Sequence, residues 1–261
     1  MRITSADNPY FRRLRRLASG PRACRDAGRT LAEGMHLVEC AATAAAVETI
    51  VLSQDAAPDA RALGEDVAAR LQCRCVELVA RLYDAISPVQ HGVGVLAELS
   101  VPRVPAPRSE AADAIYLDGV QDPGNAGTLL RTAAAAGIRH VGASPGTVYL
   151  WAPKVLRAAM GAHFVLALHE DLPPAALPAA FAGERLAADA HGRESLYSAT
   201  WGEVPTVWMF GAEGQGLSAP AAVLAQRRMR IPINPQVESL NVAAAAAVCL
   251  FEQARRRGTY R

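Results

Sequence analysis

Apolar residues along the chain follow two rhythms: short unbroken runs bounded by turn residues, and stripes recurring every three or four positions. The first pattern predicts strands and the second helices. Near the N-terminus, Leu14 and Leu17 with Tyr10 or Phe11 form a helical stripe that turns Arg12, Arg13 and Arg16 toward water. A short run at 30–32, a helix over 35–46, a strand over 48–52, a helix over 59–71 and strands at 76–79 and 92–97 follow. That alternation predicts a small α/β domain spanning 1–99. Residues 100–113 read SVPRVPAPRSEAAD, with three prolines and no periodicity, as an extended interdomain linker should.

In the second domain, 114–261, the alternation is more regular. Strands are predicted at 114–117, 139–142, 185–188, 206–210 and 229–231, and helices at 127–136, 153–159, 174–180, 220–226 and 240–257. Strands alternating with helices imply a parallel sheet covered on both faces. The last helix is apolar on every side from Val242 to Phe251. It must be covered all round, inside the domain or in part by a second subunit. Arg255, Arg256 and Arg257 close it where the helix dipole favours positive charge.

Composition changes this picture in three ways. The net charge is only +2, yet residues 1–29 carry eight arginines against Asp7 and Asp26, so the rest of the chain is net negative. A basic end on a nearly neutral protein suits a polyanion, although a solvated helix face explains the same pattern. Lys154 is the only lysine, so arginine usage in general is a compositional habit and no proof of phosphate binding. The five cysteines, Cys24, Cys40, Cys73, Cys75 and Cys249, are odd in number and lack the ligand pairs of a zinc site. Reduced thiols, no metal, no membrane and a cytoplasmic location are therefore expected. The N-terminus lacks the apolar stretch of a signal peptide, and the ten apolar residues from Val242 to Phe251 are too few to span a bilayer.

Three segments carry the chemistry. In LDGVQDPGNAGTLLRTAAAAG, Leu117 to Gly137, a strand ends at Asp118-Gly119 and a tight turn precedes a helix bearing Arg131. Asn125 is placed either to cap that helix or to face a ligand. Arg131 stands on a helix otherwise almost wholly apolar, where a guanidinium needs an anionic or carbonyl partner. In VWMFGAEGQGLS, Val207 to Ser218, an apolar strand runs into Gly211, Gly214 and Gly216 around Glu213. Such glycines admit a ligand close to the backbone. Their spacing is not that of the dinucleotide fingerprint, and no phosphate loop is present. In IPINPQVESLNVAAAAAVCLFEQARRR, Ile231 to Arg257, Ser239 and Asn241 stand at the mouth of the apolar helix. Ser239 serves there either as N-cap or as part of a site wall.

In order and wording these segments resemble the three motifs of the SpoU/TrmH family of RNA ribose 2′-O-methyltransferases, in the SPOUT superfamily. The opening SADNPYFRRLRRL and TLAEGMHLVECA are similar to the ribosomal-protein-like substrate-binding domain of many members. Ala243 stands where many members have serine, and Ala212 where asparagine is usual. The resemblance implies an α/β fold with a deep trefoil knot in the C-terminal domain, a homodimer with the site near the interface, and S-adenosylmethionine as cofactor. It places Gly211, Ile231 and Leu240 against the cofactor. Arg131, with Asn125, Glu213, Ser239 and Asn241 around it, falls at the reacting centre, and Arg12, Arg13 and Arg16 fall on the RNA.

A guanidinium, with a pKa above about 12 and no free lone pair, is a poor base. Arg131 is better suited to hold the phosphate beside the target ribose and to stabilise the developing alkoxide. His36, His91, His140, His163, His169 and His191 fall outside the three motifs. Ribosomal RNA is the favoured substrate. The rivals are a transfer-RNA methyltransferase, a non-catalytic RNA-binding protein of the same fold, and a nucleotide-dependent oxidoreductase, the last opposed by the glycine spacing.

Overall fold

A computed structural model describes residues 1–89, 92–105 and 107–259; His91 lies outside the described residues. The N-terminal half runs β1 (Arg2–Ile3), α1 (Pro9–Ala18), α2 (Pro21–Ala27), β2 (Arg29–Glu33), α3 (Met35–Thr43), β3 (Val47–Ser53), α4 (Pro58–Leu71), β4 (Arg74–Leu78), α5 (Ala80–Asp84) and β5 (Val95–Ser100). The chain continues with β6 (Ala114–Asp118), α6 (Pro123–Ala135), β7 (His140–Ala143), α7 (Pro153–Ala159), β8 (Ala167–His169) and α8 (Leu177–Ala180). It ends with β9 (Glu184–Ala188), β10 (Glu194–Ser195), β11 (Thr206–Gly211), α9 (Ala219–Ala222), β12 (Arg227–Arg230) and α10 (Val242–Arg257).

Two compact units result. One comprises Met1–Arg103 with Trp151–Phe164, the other Val104–Leu150 with Val165–Arg261. Residues 151–164, read from the sequence as part of the C-terminal span, group with the N-terminal unit. There the Thr30 hydroxyl donates to the Trp151 carbonyl at 2.7 Å.

The first unit has a mixed sheet in the order β1-β4-β3-β5-β2, with β5 antiparallel to both its neighbours. Its core gathers Val38, Ile50, Val67 and Val95 beneath α3 and α4. Helix α1 starts where Asn8 accepts from the amides of Tyr10 and Phe11, with Pro9 just inside. Phe11, Leu14 and Leu17 are buried as the stripe predicts. Arg13 faces water as predicted, and its guanidinium also bonds the fully buried Glu98 carboxylate at 2.9 Å. The strip of arginines is thus split between a structural anchor and the solvent.

The second unit has seven strands in the order β10-β12-β9-β11-β6-β7-β8, every pair parallel. Alternation of strand and helix predicts that arrangement, since each parallel return needs a crossover. Order reverses between β6 and β11, and this places a crevice at the carboxyl ends of those strands. The proline-rich stretch is tied down where it enters this unit: Ser109, in a bend at φ +51°, and Glu110 donate backbone bonds to the carbonyls of Ala179 and Ala180. No helix among the described residues is long and apolar enough to cross a membrane.

Helix α10 packs on α6 and β11 through Ala243, Ala246, Cys249 and Leu250. The Trp208 indole donates to Gln253 at 2.7 Å in this core. The all-round burial expected of its apolar segment is not met within one chain, because Ala244 and Phe251 are exposed. Alanine is small enough that one face of the helix satisfies the core without the other. Some predicted elements also change: the helix expected over 220–226 shrinks to the single turn α9, and the strand expected at 229–231 begins two residues earlier and ends one earlier, as β12.

Candidate active site

The carboxyl edge of the parallel sheet holds a cavity of about 760 Å³ beyond β9, β11 and β12. Gly211, Glu213, Ile231, Ser239, Leu240 and Asn241, all singled out in the sequence, line it. Strand β11 ends at Gly211, and the chain folds at once into a tight hairpin. Ala212 and Gly216 exchange backbone hydrogen bonds of 3.0 and 2.9 Å. Gly214 and Gly216 sit at φ of +79° and +69°, in the left-handed region that favours glycine. Gly211 is glycine for a different reason: a Cβ there would lie 2.0 Å from the Gly216 carbonyl carbon. The chain's own return crowds this residue, beyond any ligand's demand.

The three sequence segments meet through side chains. The Asn125 amide donates to the Glu213 carboxylate at 2.5 Å, and the Asn241 amide donates to the Asn125 carbonyl oxygen at 3.0 Å. The hairpin, the first turn of α6 and the start of α10 are thereby tied together. Capping is assigned differently from the sequence reading. Asp122, not Asn125, caps α6 by accepting from the Asn125 amide N–H at 2.7 Å. Asn241, not Ser239, caps α10 by accepting from Ala243 and Ala244. Both choices free the other polar residue, Asn125 to bridge and Ser239 to line the cavity.

Arg131 departs from expectation. It is exposed on α6, lies outside the cavity lining, and has no hydrogen-bond or ion-pair partner among the described residues. The apolar face of α6 turns inward, through Ala126, Leu129, Leu130 and Ala133, and leaves the guanidinium to solvent. The requirement for a local anionic partner therefore falls away.

Other residues at the cavity and its hairpin come into view only in the structure. Asp118, at the end of β6, is buried and accepts from the Ser218 amide at 2.7 Å, which pins the far end of the hairpin. Asp189, His191 and Arg228 also line the cavity. Asp189 accepts from the His191 amide and pairs with Arg228 at 3.4 Å. Their signal was only positional, since Asp189 directly follows a strand of the parallel sheet. Gly192 passes so close to the Arg228 carbonyl that a Cβ would lie 2.6 Å from its oxygen. All five cysteines are free, and burial pushes the Cys249 thiol well above its ordinary range.

The SpoU rRNA methylase family model matches residues 113–251. The chain is 34% identical to an uncharacterized tRNA/rRNA methyltransferase of Synechocystis, over 98% of this chain and 94% of that protein. It is 30% identical to the 23S rRNA (guanosine(2553)-2′-O)-methyltransferase RlmP of Bacillus subtilis, over 85% of this chain and 86% of that one. Among solved structures, an AdoMet-bound rRNA methyltransferase from Sinorhizobium meliloti superposes with a TM-score of 0.84. Identity there is 25%, with 98% of each chain covered.

Proposed function

The chain belongs to the SpoU rRNA methylase family, and on that premise we propose that it transfers a methyl group from S-adenosylmethionine to a ribose 2′-hydroxyl of ribosomal RNA. The observation that carries this reading is the bond chain Glu213–Asn125–Asn241, which knits all three sequence segments around one cavity. Cavity size and lining suit a nucleoside-bearing cofactor. Apolar walls from Ile231 and Leu240 face a ring, and the exposed backbone of the Gly211–Gly216 hairpin offers hydrogen-bonding groups. Gly211, Ile231 and Leu240 would hold it. When bound, the cofactor supplies an electrophilic methyl group on a sulfonium.

The protein's own task is to bring the ribose hydroxyl into line, an alignment worth on the order of 7–11 kcal/mol. Arg131, exposed and without a partner among the described residues, is available for the phosphate beside the target ribose, where its fork also stabilises the developing alkoxide. Glu213 and Asn125 hold the hairpin in position, and Asn241 fixes the entry of α10. Arg12 and Arg16 on α1 supply exposed charge for RNA in the N-terminal unit.

A homodimer belongs to the same reading. Phe251 (46% exposed), Leu240 (38%) and Ala244 leave an apolar strip along α10 that a second copy would cover. The dimer gives Arg131 a cavity to reach that its own chain does not offer. A trefoil knot in the segment from β12 to α10 and a cytoplasmic location complete the proposal.

Radiolabelled S-adenosylmethionine incubated with unmodified ribosomal RNA and, separately, with transfer RNA tests it. Label recovered as 2′-O-methylated nucleosides from ribosomal RNA, and lost with Arg131→Ala, is expected. Label only in transfer RNA overturns the substrate, and absence of cofactor binding overturns the enzyme. Arg131→Lys keeps the charge and removes the fork, so near-normal turnover in that variant excludes a bidentate role.

A further inference from the structure

The Ala212–Gly216 hairpin has a second face. Opposite the cavity already described, a hollow of about 520 Å³ opens at the carboxyl ends of β6, β7 and β11, where the strand order reverses. Parallel sheets bind ligands in that crevice. Gly211, Ile231 and Leu240, the residues proposed to hold the cofactor, do not line it, although Glu213 and Gln215 line both cavities.

The walls are stiff and mostly uncharged. Gly119 at the end of β6 is held by the hydroxyls of Ser144 and Thr147, which accept from its amide at 3.0 and 3.1 Å. Pro145, Pro174 and Pro220 supply rigid apolar surface. Two exposed side-chain amides, Gln121 and Gln215, stand on the lining, and neither has a hydrogen-bond partner among the described residues. The charged side chains of the lining are Asp118 and Glu213, both acidic; no cation is among them.

That chemistry selects its ligand. Two carboxylates without a cation repel a phosphate. Carboxamides each carry two donors and an acceptor, the complement of a nucleobase edge. Sequence-specific RNA readers take unstacked bases in this way, with the base lifted out of the strand. We propose that this hollow receives an unstacked base of the RNA substrate, read by Gln121 and Gln215. The assignment rests on the chain being an RNA methylase, and it gives the enzyme a means of choosing a nucleotide beside its methylation site. Glu213 lines both cavities, so the base and the cofactor share one thin wall.

The test follows the side-chain amide NMR signals of Gln121 and Gln215 in the full chain. S-Adenosylhomocysteine at saturation keeps nucleosides out of the first cavity while adenosine, guanosine, cytidine and uridine are added to millimolar levels. At least one nucleoside should shift both signals in a saturable way, and ribose 5-phosphate, which has no base, should leave them unmoved. No response to any nucleoside, or a larger response to ribose 5-phosphate, overturns the proposal. The Gln121→Leu variant, near-isosteric at an exposed position that lines the second hollow and not the first, should raise KM for ribosomal RNA several-fold while cofactor affinity stays within about twofold. An unchanged KM overturns base reading. If the wild-type chain methylates no RNA yet both signals respond to a nucleoside, the methylase reading falls and the base pocket stands.

Discussion

Helix α1 carries four arginines within ten residues and α10 closes on three in succession, yet the two groups are used in opposite ways. On α1, Arg12, Arg13, Arg15 and Arg16 are all exposed, and Arg13 alone of the four pairs with a buried carboxylate, Glu98, among the described residues. At the end of α10 every guanidinium is engaged. Arg255 and Arg256 both bond Glu252. Arg256 also donates to the carbonyls of Leu196, Tyr197 and Ala199 and stacks over Trp201 at 4.7 Å. Arg257 donates to Asp113 and to the carbonyls of Gly202 and Val204. The difference lies in the neighbours. Residues 196–204 form an irregular stretch whose carbonyls lack sheet partners, and five-donor guanidinium groups supply them. Equal charge density therefore marks a clamp in one place and an open cationic face in the other.

The contrast can be broken most directly at Arg257. Arg257→Ala strips Asp113 and two loop carbonyls of a donor together, and should cost about 2–3 kcal/mol of stability in chemical denaturation. A loss no larger than that of a typical surface substitution would put this arginine in the same class as Arg12.

Acid should expose the clamp next. Hydrogen bonds from Arg255 and then Arg256 lower the Glu252 pKa from 4.5 to about 2. A folded-state pKa below the unfolded one contributes stability that is complete above the unfolded value and disappears as pH falls through the folded value. Thermal melts should therefore show part of the acid destabilisation between about pH 4.5 and about pH 2 disappear in Glu252→Gln. Identical acid profiles for the two proteins would remove the clamp from the account.

On the open face the expected effect is on binding. Arg12→Ala and Arg16→Ala should each weaken ribosomal RNA binding a few-fold and lower the slope of log K against log salt by about 1. Melting temperature should hold steady. An unchanged salt slope would mean that α1 does not touch RNA. The smallest effect belongs to Arg22, whose pair with Asp26 spans 4.0 Å at 95% and 55% side-chain exposure. Arg22→Ala should leave the melting temperature unchanged, as exposed pairs of this kind usually do.

The same distinction runs through the rest of the chain. The Phe11–Leu14–Leu17 stripe, the β6 and β11 runs and the start of α7 at Pro153 are local patterns, and the structure keeps them. Which of two nearby polar residues caps a helix was not local. Asp122 displaced Asn125, and Asn241 displaced Ser239, because Asn125 is drawn to Glu213 across 88 positions of sequence. Arg131 misled for a similar reason: an apolar helix suggests burial, but only the packing of α6 shows which side the guanidinium takes.

Most strands and helices, the parallel second sheet and the three segments that meet at one cavity are legible in the sequence, whereas α2, α5 and the short strands β1, β8 and β10 are not. Period, turn residues and motif wording are all properties of neighbours along the chain. Only the tertiary structure decided that Gly211 is crowded by Gly216, that residues 151–164 group with the N-terminal unit, and that the α10 arginines clamp a loop. It also decided that the glycine hairpin borders a cavity on each side. Those facts depend on which unpaired backbone and side-chain groups meet across long sequence separations, and no local pattern records the acceptor that a donor will find.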